Sequence, residues 1–134
     1  MKGKRIDHVG IVVDDLASAR RFVTDVLGLA FDREVSIPGR LEAAFYRCDG
    51  TGIELIEVTD PKLRQERLGG ASAKIEHVAV EVDDLLAAFD DLHRHGVETT
   101  SETPTVIGPT RSYFTRPETS DGVTYQVFDR PKAV

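Results

Sequence analysis

The sequence has little of several things, and each shortage excludes a class of protein. It contains one cysteine, Cys48, in 134 residues, so it can build neither an internal disulfide framework nor a cysteine-based zinc knuckle. Any bound metal must therefore use nitrogen and oxygen ligands. Apolar runs stop after a few residues, far short of the ~20 that a membrane-spanning helix needs. The Met-Lys-Gly-Lys-Arg start leads into no apolar segment, so no targeting signal is expected and the expected compartment is the cytoplasm. Excess basic charge is also lacking. The net charge is −6 and the pI about 5.2, with acidic residues spread along the chain, which argues against a nucleic-acid or membrane partner.

What is present is a repeat. Ile6-Asp7-His8-Val9-Gly10-Ile11-Val12-Val13-Asp14-Asp15-Leu16 returns 69 residues later as Ile75-Glu76-His77-Val78-Ala79-Val80-Glu81-Val82-Asp83-Asp84-Leu85, with seven of eleven positions identical. So dense a self-match points to a duplicated supersecondary unit. Each half begins with a short β-branched strand, 6–13 and 75–82. A helix capped by Asp14 or Asp15 follows the first, with Leu16, Ala19, Phe22 and Val26 at helical spacing; one capped by Asp83 or Asp84 follows the second, with Leu85, Ala88, Phe89 and Leu92. In the first half, strands are expected at 29–37, 41–48 and 53–58, with turns at Pro38-Gly39 and Gly50-Thr51-Gly52. In the second half they are expected near 97–100, 111–115 and 123–128. The reading is an α+β chain of two tandem βαβββ modules, 1–58 and 75–134. A connector at 59–74 carries a short helix over 62–68.

Strand alternation then decides where the polar side chains point. If Val9, Ile11 and Val13 face the helix, His8 faces away from it, beside the small Gly10; His77 stands likewise beside Ala79. Glu54 lies between Ile53 and Leu55, and aligning the last strands of the halves puts Gln126 at the matching place. His8, Glu54, His77 and Gln126 thus form a candidate ligand set, and two imidazoles with a carboxylate and an amide oxygen suit Zn, Co, Ni, Mn or Fe better than Ca or Mg. One strand histidine is more often a hydrogen-bonded structural residue; two at equivalent repeat positions, each with a polar partner, favour a metal role. His93 and His95 lack such partners and read as solvated, and Cys48 reads as inert.

Ile6-Asp7-His8-Val9-Gly10, Asp25-Val26-Leu27-Gly28-Leu29, Gly52-Ile53-Glu54-Leu55, Ile75-Glu76-His77-Val78-Ala79 and Gly122-Val123-Thr124-Tyr125-Gln126 together resemble the vicinal oxygen chelate superfamily. That superfamily includes glyoxalase I, methylmalonyl-CoA epimerase, extradiol dioxygenases and bleomycin resistance proteins. The resemblance covers Ile6 to Phe128 and implies a single domain with a cupped eight-stranded mixed sheet, helices outside, around one divalent ion. It is nearest to methylmalonyl-CoA epimerases. This implies proton abstraction α to a carbonyl through a metal-stabilised enolate, with Glu42 where the catalytic base is expected, on the assumption that it shares the inward face of Phe45. The implied substrate is a small anionic carbonyl compound, an acyl-CoA among the candidates, and the implied assembly a homodimer. Gln126 departs from the family's usual glutamate; a divalent site so built carries one net positive charge, which favours anions. Arg40, Arg47, Arg111 and Arg116 are candidates to hold one. The alternatives are a glyoxalase I-type lyase acting on a glutathione adduct, a non-enzymatic bleomycin-resistance-type binding protein, and a ring-cleaving dioxygenase, which fits the terminal glutamine poorly.

Overall fold

A computed structural model of the protein describes residues 1–107 and 109–130; Gly108 and residues 131–134 of the expected second module lie outside the described residues. Eight strands form one mixed sheet in the order β2-β3-β4-β1-β5-β8-β7-β6. They are β1 (Gly3–Val13), β2 (Ala30–Ile37), β3 (Leu41–Cys48), β4 (Thr51–Val58), β5 (Ala73–Val82), β6 (Thr105–Ile107), β7 (Thr110–Phe114) and β8 (Thr124–Asp129). The helices are α1 (Leu16–Arg21), α2 (Pro61–Arg67) and α3 (Leu85–Arg94). This is the α+β class expected, with both halves in βαβββ order. The chain divides into two compact units: residues 8–76, the His8 unit, and residues 1–7 with 77–134, the His77 unit.

In the His8 unit β1 runs parallel to β4, with Gly10 opposite Glu54, while β2-β3 and β3-β4 are antiparallel. Both sheet faces carry apolar side chains. Val13, Ala44, Tyr46 and Leu55 pack with Leu16, Ala19 and Val23 on the α1 side. Val12, Ala43, Ile56 and Val58 pack with Leu63 and Leu68 of the α2 segment on the other. Asp15 caps α1 by accepting from the Ser18 amide at 3.1 Å, and Asp60 caps α2, whose first residue is Pro61. Two expectations are corrected here. Val23, not Phe22 or Val26, is the buried residue of the second helical turn; Phe22 is 54 % and Val26 67 % exposed. Residues 16, 19 and 23 follow the 3.6-residue period, and the chain widens at Phe22–Val26 into a π-helical turn in which the Leu27 amide reaches back to Phe22 O. The hairpin turn is Asp49-Gly50, both at positive φ (48° and 85°), as a two-residue turn of the primed type requires.

In the His77 unit β5 runs parallel to β8 with Ala79 opposite Gln126, and β7 is antiparallel to both β8 and β6. Val82, Tyr113 and Val127 pack with Leu85, Ala88, Phe89 and Leu92 of α3, the helix face expected. Asp84 is its N-cap. The strand expected near 97–100 is absent: after α3 the Val97 amide bonds Leu92 O, and one isolated bridge, Thr99 to Thr115, replaces the ladder. The strand is instead the β-branched run Thr105-Val106-Ile107. The repeat also extends to a helix anchor. Glu57, on the last strand of one half, accepts from the Leu16 amide at 3.0 Å, and Asp129 accepts from the Leu85 amide at 3.2 Å. A carboxylate three residues beyond Glu54 or Gln126 thus bonds the first amide of the helix in its own half.

Candidate metal centre

The register of the His8 unit makes one continuous face of His8, Glu54 and Phe45. Gly10 is opposite Glu54 on β4, and Glu54 is opposite Phe45 on β3. His8 is 4 % exposed; its Nε2 lies 3.3 Å from Glu54 Oε1. The ring of Phe45 meets the imidazole edge-on, centroids 5.2 Å apart and planes at 88°. Below this set on the same face lies the Val12, Ala43, Ile56 layer closed by Leu63 and Leu68, so the polar groups sit above an apolar floor. The segment that supplies the floor also supplies a charge. Arg67 holds Glu76 through two bonds of 2.8 and 2.7 Å. Its pKa is raised, first by that bond, against burial, and with a smaller contribution from the negative charge of Glu54.

The His77 unit repeats the arrangement. His77 is 4 % exposed, and Phe114 meets its ring edge-on at 5.8 Å and 86°. Phe114 is opposite Gln126, as Phe45 is opposite Glu54. The Gln126 amide nitrogen donates to Ser112 Oγ at 3.2 Å, which orients the amide. Each half therefore presents a histidine, an edge-on phenylalanine and one oxygen-bearing side chain. From the sequence Phe45 was read only as inward-facing and Phe114 was not singled out, although Ala-Phe-Tyr and Tyr-Phe-Thr occur at matching strand positions. The donor chemistry that the two units present, an imidazole and a carboxylate in one and an imidazole and an amide in the other, is of the kind that suits a first-row divalent ion.

The expectation that Glu42 shares the face of Phe45 is corrected by the register. Glu42 pairs with Glu57 and Ser36, and residues 42 and 45 differ in parity, so Glu42 lies on the face of Ala44 and Tyr46, toward α1. There it accepts from Ser36 Oγ at 2.7 Å. On the His8 face of this unit's strands the carboxylate is Glu54. Of the four arginines considered for an anion, Arg111 is engaged by Asp129 at 3.1 and 3.0 Å, and Arg47 is the one whose strand position matches Phe45. His93 and His95 bond the carbonyls of Phe89 and Asp91, at 2.9 and 2.8 Å, at the end of α3. Cys48 is exposed.

Paired βαβββ halves in one mixed sheet, each with a buried histidine on its first strand and an oxygen donor on its last, define a duplicated-module protein of the vicinal oxygen chelate kind. The chain belongs to the Glyoxalase/Bleomycin resistance protein/Dioxygenase superfamily, which matches residues 5–127. It is similar to the uncharacterized protein YwbC of Bacillus subtilis (strain 168), 33 % identical over 95 % of this chain and 98 % of that one. It is also 30 % identical to mitochondrial methylmalonyl-CoA epimerase of Mus musculus over 73 % of this chain, spanning 57 % of the mouse protein. The methylmalonyl-CoA epimerase of Mycobacterium tuberculosis superposes with a TM-score of 0.87 at 26 % identity, over 97 % of this chain and 90 % of that one.

Proposed function

We propose that this chain is a divalent-metal-dependent enzyme that removes a proton α to a carbonyl, an epimerase or isomerase of the methylmalonyl-CoA epimerase kind. His8, Glu54, His77 and the amide oxygen of Gln126 are its metal ligands. The observation that supports the reading is the repetition, in each unit, of a buried imidazole met edge-on by a phenylalanine, with an oxygen-bearing side chain on the same face of the unit's last strand: simple sequestration of an apolar ligand requires no such pair. A divalent ion held by these donors supplies Lewis acidity to substrate oxygens. The chain's own share is binding and proton transfer. Phe45 and Phe114 fix the planes of the two imidazoles, Ser112 fixes the amide, and Arg67 brings a positive charge within reach of Glu54. With Glu42 on the other face, Glu54 is the carboxylate we assign to carry the α-proton. Acyl-CoA thioesters are the first substrates to try, because relatives at 30 % identity are methylmalonyl-CoA epimerases. We further propose a homodimer, since the outer strands β2 and β6 leave sheet edges to be covered.

The test has two readings. Elemental analysis of protein purified without chelator should find about one divalent ion per chain, lost in a His8→Ala/His77→Ala variant. In D₂O, 2-methyl-substituted malonyl thioesters should gain deuterium at the α-carbon, and chelator should stop the exchange. Stoichiometric metal with no exchange in any carbonyl substrate would turn the assignment toward a binding protein. Ring cleavage of a catechol with dioxygen uptake would turn it toward a dioxygenase.

A further inference from the structure

We propose that Arg33 is a positioning residue for His8 and acts through Phe45: stacked on the ring, its guanidinium holds the phenyl from which the imidazole takes its plane. The proposal rests on the reading above only in treating His8 as a ligand; the stack itself lies wholly within the His8 unit. Arg33 is opposite Phe45 in the β2-β3 register, and its guanidinium carbon stands 3.9 Å from the centroid of the Phe45 ring. The same ring meets His8 edge-on, centroids 5.2 Å apart and planes at 88°. The imidazole in turn brings its Nε2 to 3.3 Å from Glu54 Oε1. Guanidinium, phenyl, carboxylate and imidazole thus make one row across β2, β3, β4 and β1, and the arginine is its outermost member.

A slip in the ladder puts the arginine there. Ala30 and Phe31 pair with Arg47 and Tyr46, but the register shifts between Phe31 and Arg33; without that shift Asp32, not Arg33, would stand opposite Phe45. By strand alternation residues 31 and 33 should share a face. They do not: Phe31 meets the ring of Tyr46 at 5.8 Å, on the α1 side, whereas Arg33 meets Phe45 on the His8 side. Bulges re-aim side chains in this way beside functional sites. Val35 keeps the new phase and packs on the layer of Val12, Ala43 and Ile56, so Arg33 opens the inward face of the strand after the slip. Phe45 is 7 % exposed and the Arg33 side chain 48 %: the guanidinium covers a buried ring while its rim stays in water. Asp32 Oδ2, 2.8 Å from Arg33 Nη1, steadies the fork in that plane. The cation is drawn to the ring face by the ring quadrupole, and a lysine in its place would keep the charge but lose the parallel stack.

The test reads His8 directly. In metal-free protein with isotope-labelled aromatic rings, Arg33→Gln should weaken the Phe45-to-His8 proton contacts seen by NMR and displace the His8 ring resonances, while those of His77 stay in place and report an intact fold. Arg33→Lys should restore part of the wild-type spectrum. In a Phe45→Leu background the same Arg33→Gln change should move His8 no further, which is what acting through Phe45 requires. Arg20→Gln removes a cation stacked on Phe31 at 5.4 Å, on the other face of the unit, and should leave His8 unmoved. On metal-loaded protein, partners that orient a ligand carry roughly 10–100-fold in metal affinity; Arg33, one contact further out, is expected to carry about threefold to tenfold, and less than about twofold once Phe45 is leucine. His8 resonances that ignore Arg33→Gln, that respond equally without Phe45, or that respond equally to Arg20→Gln overturn the proposal. So does a wild-type metal affinity that Arg33→Gln leaves unchanged. Wild type that binds no metal indicts the ligand reading alone, and the positioning of His8 is then decided by the metal-free spectra.

Discussion

At the scale of single residues, parity separates Glu42 from Glu54. Both stand on neighbouring strands, yet the β3-β4 register sets Glu42 against Glu57 and sets Glu54 against Phe45, so a one-residue difference in phase sends the two carboxylates to opposite faces. Glu54→Gln is expected to keep the fold and lower α-proton exchange by roughly 10²–10⁴-fold, the usual contribution of a positioned base. Glu42→Gln should change it less than about twofold; a large loss in Glu42→Gln would return the base to that residue. Alternation was legible in the sequence for His8, Glu54, His77 and Gln126, because each has an apolar neighbour on at least one side, and the histidines are followed by an alternating apolar run. Glu42 has a leucine on one side and two alanines on the other, so face assignment there depends on counting correctly from Phe45.

Asp129 gives a residue-scale pH dependence. Burial, the largest influence on its carboxyl, works upward, but the Arg111 hydrogen bond, the Leu85 amide and the Arg111 charge together outweigh it and hold the pKa below its ordinary 3.8. A group depressed in the folded state contributes stability that is present above its unfolded pKa and is lost as pH falls through its folded one. Asp129→Asn should therefore be less stable than wild type by about 1 kcal/mol at neutral pH, the typical worth of a helix N-terminal partner. The gap should close in strongly acidic solution. Urea unfolding of both proteins at pH 7 and below pH 3 measures it; a gap independent of pH would remove ionisation of Asp129 from the account.

At the scale of elements, helix phase is the sharpest test. In the α1 segment Phe22 has the greater apolar bulk, and a sequence reader places it inward; the structure buries Val23 with Leu16 and Ala19. Val23→Ala should cost roughly 1–3 kcal/mol in chemical denaturation, as truncating a buried aliphatic does. Phe22→Ala should stay within about 0.5 kcal/mol, as exposed substitutions do. The reverse order would restore the simpler helix. The same limits explain the other misses. A π-helical turn has no sequence signature that separates it from an α-helix of the same composition. The region 97–107 holds two β-branched runs, and only the second finds a ladder, because the first is taken by the wrap that follows α3. Strand β3 matches its expected bounds, and β1, β4 and β5 end where expected but begin two or three residues earlier, where polar residues and Gly give no apolar signal.

For the molecule as a whole, duplication is what made the candidate site readable: positions 8 and 77 are told apart from chance histidines by what surrounds both. The repeat is also uneven. One half carries Glu54 and the other Gln126, and one apolar layer is closed by Leu63 and Leu68, whereas Glu81, four residues beyond His77, is engaged by Arg5 at 2.7 Å and Arg130 at 3.3 Å. The ligand set proposed above draws on both units, so a bound ion stabilises the folded chain through free-ion concentration: about 2.7 kcal/mol at one hundred times its dissociation constant. Calorimetry of chelator-treated protein with added Zn, Co, Ni or Mn should show the unfolding temperature climbing with metal concentration, in wild type and not in the double histidine variant. His8→Ala alone and His77→Ala alone should each remove most of the rise if one ion needs donors from both units. Two single variants that each keep half of the rise would mean separate ions in separate halves, and the single shared centre would be abandoned. Sedimentation of the same samples, at about twice 14.8 kDa for the proposed homodimer, shows whether the rise depends on assembly: a monomer with the full metal effect would place all ligands within one chain.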